Sequence, residues 1–229
     1  MVGHLGARSW ALWGLLLTVH AAAPEQSRGT WLALLSICVW LTATMSAGQL
    51  GLWPAIGSVA VALGLIVLGV DGARARLLLR PTLRLVLLGS VAGAAMAAAT
   101  YLLYPISVRL LPFLAGDTAQ LYAAFRGPSH ALASAALFPV ILGEELVWRG
   151  AVQGTLVQRF GSARGIVLAA VLYALVHAPT GSPVLVAAAL GCGLVWGALR
   201  TSTGSLVPTL VAHLLWDGLV LLWLPVDGM

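Results

Sequence analysis

The chain has 229 residues, of which 60% are hydrophobic and only 8% charged. A water-soluble domain of this size needs a much more polar surface, so the composition excludes a soluble globular protein and indicates that a bilayer is the solvent. The formal net charge is +5, and the basic residues are all arginines, placed in short clusters between apolar runs. That pattern favours a membrane surface over a nucleic acid as the partner.

The apolar runs predict an all-α fold, a polytopic transmembrane helix bundle with about eight spans. A helix that crosses a bilayer needs ~20 consecutive, mostly apolar residues, and most of the runs approach that length. The runs cover residues 9–23, 30–50, 53–70, 82–104, 129–147, 164–178, 183–199 and 206–224.

Residues 1–23 permit two interpretations. Their apolar run ends in the alanines at positions 21–23, which would suit the A-x-A cleavage site of a signal peptide. Arg8 is the single basic residue ahead of that run, and this weak charge favours a first spanning helix instead.

The arginines predict the orientation of the helices. The densest cluster lies in the loop at 74–84, and the positive-inside rule places this loop in the cytoplasm. Alternation of the spans puts four further arginines on the same side: Arg28, Arg159, Arg164 and Arg200. Residues 105–128 carry prolines and glycines among aromatic residues, and we expect an interfacial or re-entrant connection there.

The segment GEELVWRG places three charged residues within an otherwise apolar run. Each unpaired charge costs ~2.5–3.5 kcal/mol at the centre of a spanning helix. Glu145 and Arg149 are spaced i, i+4 and can pair on one helix face, whereas Glu144 points about 100° away. A packing network would explain a lone Glu–Arg pair, but the second glutamate favours a functional site with Glu144 as its free carboxylate.

Two later helices carry further polar pairs at i, i+4 spacing. The segment YALVHAP contains Tyr173 and His177, and the segment VAHLLWDG contains His213 and Asp217. One histidine in a spanning helix is more often a packing residue than a catalyst. Two histidines on separate helices that follow a glutamate pair indicate a functional site.

Helix arithmetic predicts the depths of these groups. Glu144 lies 16 residues before Phe160, and His177 lies 16 residues after Gly161, so antiparallel neighbours would bring the two side chains level. His213 follows Gly204 by only nine residues and matches less well. We expect a tilted or broken helix to be needed there.

Several other chemistries leave no trace in the sequence. It contains no HExxH zinc helix, no pair of GxGD-type aspartates and no GxSx serine loop with a partner histidine. It also lacks a phosphate-binding glycine-rich loop and a nucleic-acid-binding motif. Cys38 and Cys192 each lie inside an apolar run, and we expect both to be packing residues.

The motifs resemble the CPBP family of intramembrane proteases, the group of CAAX prenyl endopeptidases and bacteriocin-processing (Abi) proteins. They are EExxxR at Glu144, Glu145 and Arg149, an aromatic-xxx-His at Tyr173 and His177, and HxxxD at His213 and Asp217. The family usually has Phe where this chain has Tyr173 and often has Asn where it has Asp217. On this resemblance, residues 1–128 are N-terminal transmembrane helices and 129–224 a CPBP-like catalytic core.

The resemblance implies peptide-bond hydrolysis by a glutamate-activated water. Glu144 would be the base, His177 would assist it, and His213 with Asp217 would position groups or stabilise the oxyanion. Glu145 and Arg149 would support this site. No cofactor is expected, although a glutamate and two histidines also form a legitimate ligand set for a divalent metal such as zinc.

The arginine-rich, lysine-free composition looks like that of a bacterial chain from a GC-rich genome. We therefore expect a multi-pass protein of the bacterial inner (cytoplasmic) membrane, for which prenylated substrates are not expected. The expected partners are the lipid bilayer and a protein with a transmembrane or C-terminal anchor segment, as in myxosortase-like sorting systems.

Two other functions compete with proteolysis. One is a non-catalytic bacteriocin-immunity or scaffold protein of the same fold, which would bind a peptide without cleaving it. The other is a small transporter that uses the ionisable residues as a proton relay. The absence of an inverted hydropathy repeat, and the clustering of the ionisable residues in the second half, count against the transporter.

Overall fold

The computed structural model describes the backbone of residues 6–125 and 129–228, and the side chains of residues 28–125 and 129–227. Within these ranges the chain is helical and contains no strand. The helices are α1 (Gly6–Leu50), α2 (Trp53–Leu78), α3 (Leu83–Leu110), α4 (Phe113–Phe125), α5 (His130–Phe160), α6 (Ser162–Leu175), α7 (Pro183–Thr203) and α8 (Val207–Trp223).

Six of these helices are long and apolar enough to cross a membrane within the described residues, and α8 is a shorter apolar helix. The all-α polytopic bundle is therefore confirmed. Each predicted run from 30–50 onward corresponds to one helix. The run at 9–23 belongs to the same helix as 30–50, and its side chains lie outside the described residues, so the choice between leader and span at 1–23 stays open.

Helix α5 is the centre of the bundle. Half of its most apolar window is buried, a larger share than in any other candidate span of the described chain. Its tryptophan, Trp148, is 1% exposed and packs edge-on against Trp40 of α1, with ring centroids 5.6 Å apart. The outer helices instead expose leucine and valine side chains, as expected for a surface in contact with lipid.

Two helices contain a wide π turn that begins directly after a predicted site residue. In α5 the π turn covers Leu146–Val152 and begins after Glu145. In α8 it covers Gly218–Trp223 and begins after Asp217. Such turns are uncommon inside α-helices and occur often at functional sites.

Contacts between helix ends give the bundle two distinct ends. At the first, which we call the arginine end, the Leu206 amide and the Ser205 hydroxyl both donate to the Leu78 carbonyl, at 2.9 and 3.0 Å. At the second, which we call the cavity end, the Trp53 indole donates to the Phe125 carbonyl at 2.8 Å. The chain turns sharply at the arginine end at two positive-φ glycines, Gly161 and Gly204.

The predicted interfacial connection at 105–128 is largely helical. Helix α3 continues past Pro105 to Leu110, and α4 follows with 13 residues, which is too short to span. Residues 126–128 lie outside the described residues. Asp117 of α4 accepts hydrogen bonds from the Ser182 hydroxyl and the Val184 amide, so α4 is bound to the start of α7 at the cavity end.

Tyr122 binds the other face of α4 to the end of the chain. Its hydroxyl donates to the Val220 carbonyl at 2.6 Å and accepts from the Val226 amide at 3.2 Å. Burial raises the pKa of Tyr122 to about 12, so the hydroxyl stays protonated at neutral pH and remains a donor.

Helices α2 and α5 cross at a pair of glycines. A Cβ added at Gly64 would lie 2.6 Å from the Cα of Gly143, closer than real Cβ contacts. A Cβ at Gly143 would collide with the backbone of Ala60. The backbones therefore touch one residue before Glu144, as small residues allow in membrane bundles.

We expect Gly64→Ala to destabilise the protein by about 1–3 kcal/mol, because the methyl group has backbone rather than a movable side chain to displace. Gly69→Ala on the same helix is the matched control, since a Cβ there meets no atom within 4 Å. Thermal unfolding in detergent should show a lower melting temperature for Gly64→Ala alone. Equal melting temperatures would contradict the close crossing.

Candidate active site

The predicted residues surround a partly open cavity of about 160 Å³. Four of them line it: Glu144, His177, His213 and Asp217. The rest of the lining is mostly apolar and comes from α2 to α8, including residues of the cavity end such as Trp53, Phe125 and Leu222. The cavity thus brings a few ionisable groups together inside an apolar chamber, as small-molecule and peptide sites commonly do.

Glu144 presents its carboxylate to this cavity. One oxygen, Oε2, accepts a hydrogen bond from the Tyr173 hydroxyl at 2.7 Å. The residue keeps 7% of its surface exposed, whereas the neighbouring Glu145 has none. The two adjacent glutamates therefore have different environments, as their helical spacing predicts.

His177 lies at the end of α6, where the chain turns into a short 3₁₀ segment, Ala178–Thr180. Its Nδ1 lies 2.7 Å from the Tyr173 carbonyl, an oxygen that can only accept, so Nδ1 carries the proton of this hydrogen bond. The other ring nitrogen, Nε2, is left for the cavity. The side chain is 5% exposed and packs edge-on against the Tyr173 ring.

Glu145 is the centre of a buried charge cluster behind the cavity. Its Oε1 lies 2.9 Å from Nδ1 of His213 and 3.4 Å from the Arg149 guanidinium. The predicted i, i+4 pair is therefore present, and it gains a partner from α8. Isolated charges at this depth would be costly, so each group compensates the others.

Arg149 is buried between aromatic rings. Its guanidinium carbon lies 4.5 Å from the ring centre of Tyr173 and 4.9 Å from that of Trp196. The terminal nitrogens, Nη1 and Nη2, have no hydrogen-bond partner among the described residues. The two π faces and the Glu145 carboxylate supply the stabilisation that water would otherwise provide.

His213 links the charge cluster to the cavity. Its Nε2 lies 3.4 Å from the Asp217 carboxylate, so both ring nitrogens face carboxylate oxygens. The imidazole stacks on Trp196, with ring centroids 3.7 Å apart and 22° between the planes. These contacts fix the orientation of the ring through one face and both ring nitrogens.

The structure brings all six predicted residues together, and it corrects the expected mismatch in the depth of His213. Leu206, the residue before α8, is fully buried and lies beside Gly150, well before the end of α5. The nine residues from Gly204 therefore suffice to bring His213 into contact with Glu145.

Sequence reasoning misses two contributors to the site. The motif identifies Tyr173 only as an aromatic residue, yet its hydroxyl contacts Glu144. Trp196 belongs to no motif, although it contacts both His213 and Arg149. The nearby glycines of its helix predict close packing but carry no signal for the aromatic contact. Of the two cysteines expected to pack, Cys192 is buried and lines the cavity, whereas Cys38 is exposed.

The described residues contain no group of three or more His, Cys, Asp or Glu side chains placed to hold a metal ion. The nitrogens of His213 both face carboxylates, and Nδ1 of His177 faces a carbonyl.

Comparison with known proteins finds a similarity in the second half of the chain. Residues 127–219 match the family model described as type II CAAX prenyl endopeptidase Rce1-like. The match covers the helices that carry all three motifs, and it confirms the predicted resemblance to the CPBP family. No curated protein and no solved structure matches the chain. At the coarse level, the family implies a membrane-embedded protease that acts on protein substrates.

Arg149→Met should lower the free energy of unfolding by about 3–5 kcal/mol, because it leaves the buried Glu145 without its cation. Combining it with Glu145→Gln should restore part of that loss, giving a coupling energy of about 0.5–3 kcal/mol in a double-mutant cycle. Unfolding in detergent measures both effects.

Arg159→Met is the matched control, since Arg159 is exposed on the same helix. It should change the free energy of unfolding by no more than about 0.5 kcal/mol. A cycle with no coupling between positions 145 and 149 would show that the ion pair contributes nothing.

Proposed function

We propose, from the match of residues 127–219 to the type II CAAX prenyl endopeptidase Rce1-like model, that the protein is an intramembrane endopeptidase using a glutamate-activated water. The observation that carries the proposal is the placement of Glu144. It is a carboxylate that faces a mostly apolar cavity, whereas the adjacent Glu145 does not line the cavity and contacts His213 and Arg149 through its Oε1.

Glu144 would act as the general base. Its Oε2 is oriented by the Tyr173 hydroxyl, and its exposed surface faces the cavity, where a water molecule can approach. A base must lie within hydrogen-bond reach of the proton that it removes. His177 would assist through Nε2, which is available to accept a hydrogen bond from the same water.

His213 would stabilise the oxyanion that develops on the scissile carbonyl. Its Nε2 contact with Asp217 is long at 3.4 Å, so a substrate carbonyl entering the cavity can compete for that donor. Trp196 and Glu145 hold the ring in place before the substrate arrives, so little reorganisation is needed during the reaction. The bond broken is the peptide C–N bond, and the proton taken from water passes to the leaving amine.

The proposed substrate is a membrane-associated or exported protein with a transmembrane or C-terminal anchor segment. The mostly apolar lining of the cavity supports this class, because the transfer of apolar side chains from water into an apolar environment is favourable. The composition supports a location in a bacterial inner membrane and a myxosortase-like role.

We expect Glu144→Gln to reduce proteolysis by at least about 10²-fold, the usual contribution of a general base. The amide keeps the shape of the side chain but cannot accept the water's proton. Comparative proteomics of membrane and exported fractions should then show uncleaved precursors. Asp71→Asn, which alters a half-exposed carboxylate paired with Arg74, is the matched control and should process substrates normally.

The same strains separate proteolysis from binding alone. If Glu144→Gln cells process every protein as the wild type does, while a strain lacking the gene still shows a phenotype, the catalytic proposal fails. A bacteriocin-immunity or scaffold role would then take its place.

We also propose that the hydrolysis needs no metal ion. Catalytic zinc sites usually have three protein ligands. Four glutamate, aspartate and histidine residues line the cavity in the described part of the chain, and no three of them are placed to hold a metal ion: Glu144 accepts from Tyr173, Asp217 contacts His213, and His177 has Nε2 left for the cavity. His213 cannot supply the third ligand without losing a contact, because both of its nitrogens face carboxylates.

Proteolysis by the purified protein in detergent should therefore survive prolonged treatment with a strong zinc chelator, with its rate changed by less than about twofold. The assay compares treated and untreated enzyme on one precursor identified by proteomics. Loss of the rate on chelation, with recovery on adding zinc, would overturn the metal-free mechanism.

A further inference from the structure

The two ends of the bundle differ sharply in charge. Arg28 lies within α1, level with the end of α5, because its neighbour Gly29 lies beside Thr155. Seven further arginines lie on or near helix ends and turns at the arginine end: Arg74, Arg76, Arg80, Arg84, Arg159, Arg164 and Arg200. Among the described side chains, the cavity end has Arg109 near the end of α3, together with Asp117 and Asp227. By the positive-inside rule the arginine end is cytoplasmic and the cavity end extracytoplasmic.

The cavity extends from the site residues toward the cavity end of the bundle. Its outer lining comes from residues at or near helix ends there, namely Trp53 of α2, Tyr104 of α3, Phe125 of α4 and Val184 of α7. Val226, beyond α8, completes this rim. Each of these residues belongs to the end that lacks the arginine cluster.

A packed layer separates the cavity from the arginine end. Leu146, Val152, Trp148 and Leu206 are each no more than 1% exposed and fill the space between the glutamates and the cytoplasmic turns. Gln153, also buried, donates to the Gly197 carbonyl and the Thr201 hydroxyl across the same layer.

A second, smaller cavity of about 40 Å³ lies at the arginine end, beside Asp71 and Arg74. It reaches the outer side of this layer at Leu146 and Leu206 and shares no lining residue with the main cavity. The packed layer therefore divides the two cavities, and the path from the arginine end stops there.

We propose that the site receives its substrate from the extracytoplasmic face of the membrane, so that it acts on segments that have already been exported. The cleavage itself rests on the proposed function, but the direction of access does not. A polypeptide segment enters past α4 and the rim of the cavity end and reaches Glu144 within the membrane. Segments confined to the cytoplasm have no route to the carboxylate.

Single cysteines test the orientation. Ala123→Cys is exposed on α4 at the cavity end, and Ala163→Cys is exposed at the turn between α5 and α6 at the arginine end. A membrane-impermeant maleimide should label Ala123→Cys in intact spheroplasts, and should label Ala163→Cys only after permeabilisation. The wild-type chain, with Cys38 and Cys192, gives the background. The reverse pattern would overturn the proposal.

A second pair of variants tests access to the cavity. Ala188→Cys lies on the cavity lining, whereas Ala198→Cys is exposed on the outside of the same helix. A charged methanethiosulfonate added outside spheroplasts should modify Ala188→Cys and leave Ala198→Cys unmodified. Reaction of Ala188→Cys only from the cytoplasmic side, or from neither side, would refute extracytoplasmic access.

These measurements separate the two proposals, because labelling needs no proteolysis. The expected labelling together with unchanged processing in Glu144→Gln cells would support the access route and contradict the proposed proteolysis. The reversed labelling together with accumulated precursors in Glu144→Gln cells would support the proposed proteolysis and contradict extracytoplasmic access.

Discussion

The buried charge of Glu145 is the constraint on which the site depends. Its carboxylate contacts Arg149 on its own helix and His213 on α8, so the same ion cluster that neutralises the charge also joins the two helices. Water cannot compensate any member of this cluster at membrane depth, and the loss of one leaves the others uncompensated. This requirement explains the difference between two adjacent glutamates. The Glu145 carboxylate pairs with Arg149 and His213, whereas the Glu144 carboxylate lines the cavity.

Much of the bundle could be predicted because membrane spans follow from length and hydropathy alone. The six motif residues could also be predicted, since a charge inside an apolar run is costly enough to need a reason. The depth of His213 could not, because it depends on Leu206 being buried within the bundle, a tertiary contact that no count of residues along one helix contains. Helix arithmetic assumes that neighbouring helices start level with each other, whereas Leu206 before α8 lies beside Gly150, well before the end of α5.

The contacts of Tyr173 and Trp196 show a second limit. Tyr173 differs from the usual motif residue by one hydroxyl, and the importance of that oxygen appears only when α6 is packed beside α5. Trp196 lies on a helix without ionisable motif residues, yet its ring contacts both Arg149 and His213, which belong to two other helices. Spacing within one helix predicts pairs on that helix, whereas contacts between helices depend on how the helices pack.

Because of the π turn after Glu145, the geometry of the site depends on the number of residues in this segment. A π turn holds more residues per turn than an α-helix, so the faces of α5 before and after Leu146–Val152 are rotated relative to each other. The half before it directs Glu144 to the cavity, the turn itself packs Trp148 and Val152 into the core, and the half after it begins with the buried Gln153. Deleting one residue in this turn would preserve nearly every side chain and still misalign the two halves. The geometry of the site therefore depends on the number of residues in this segment as well as on their identities.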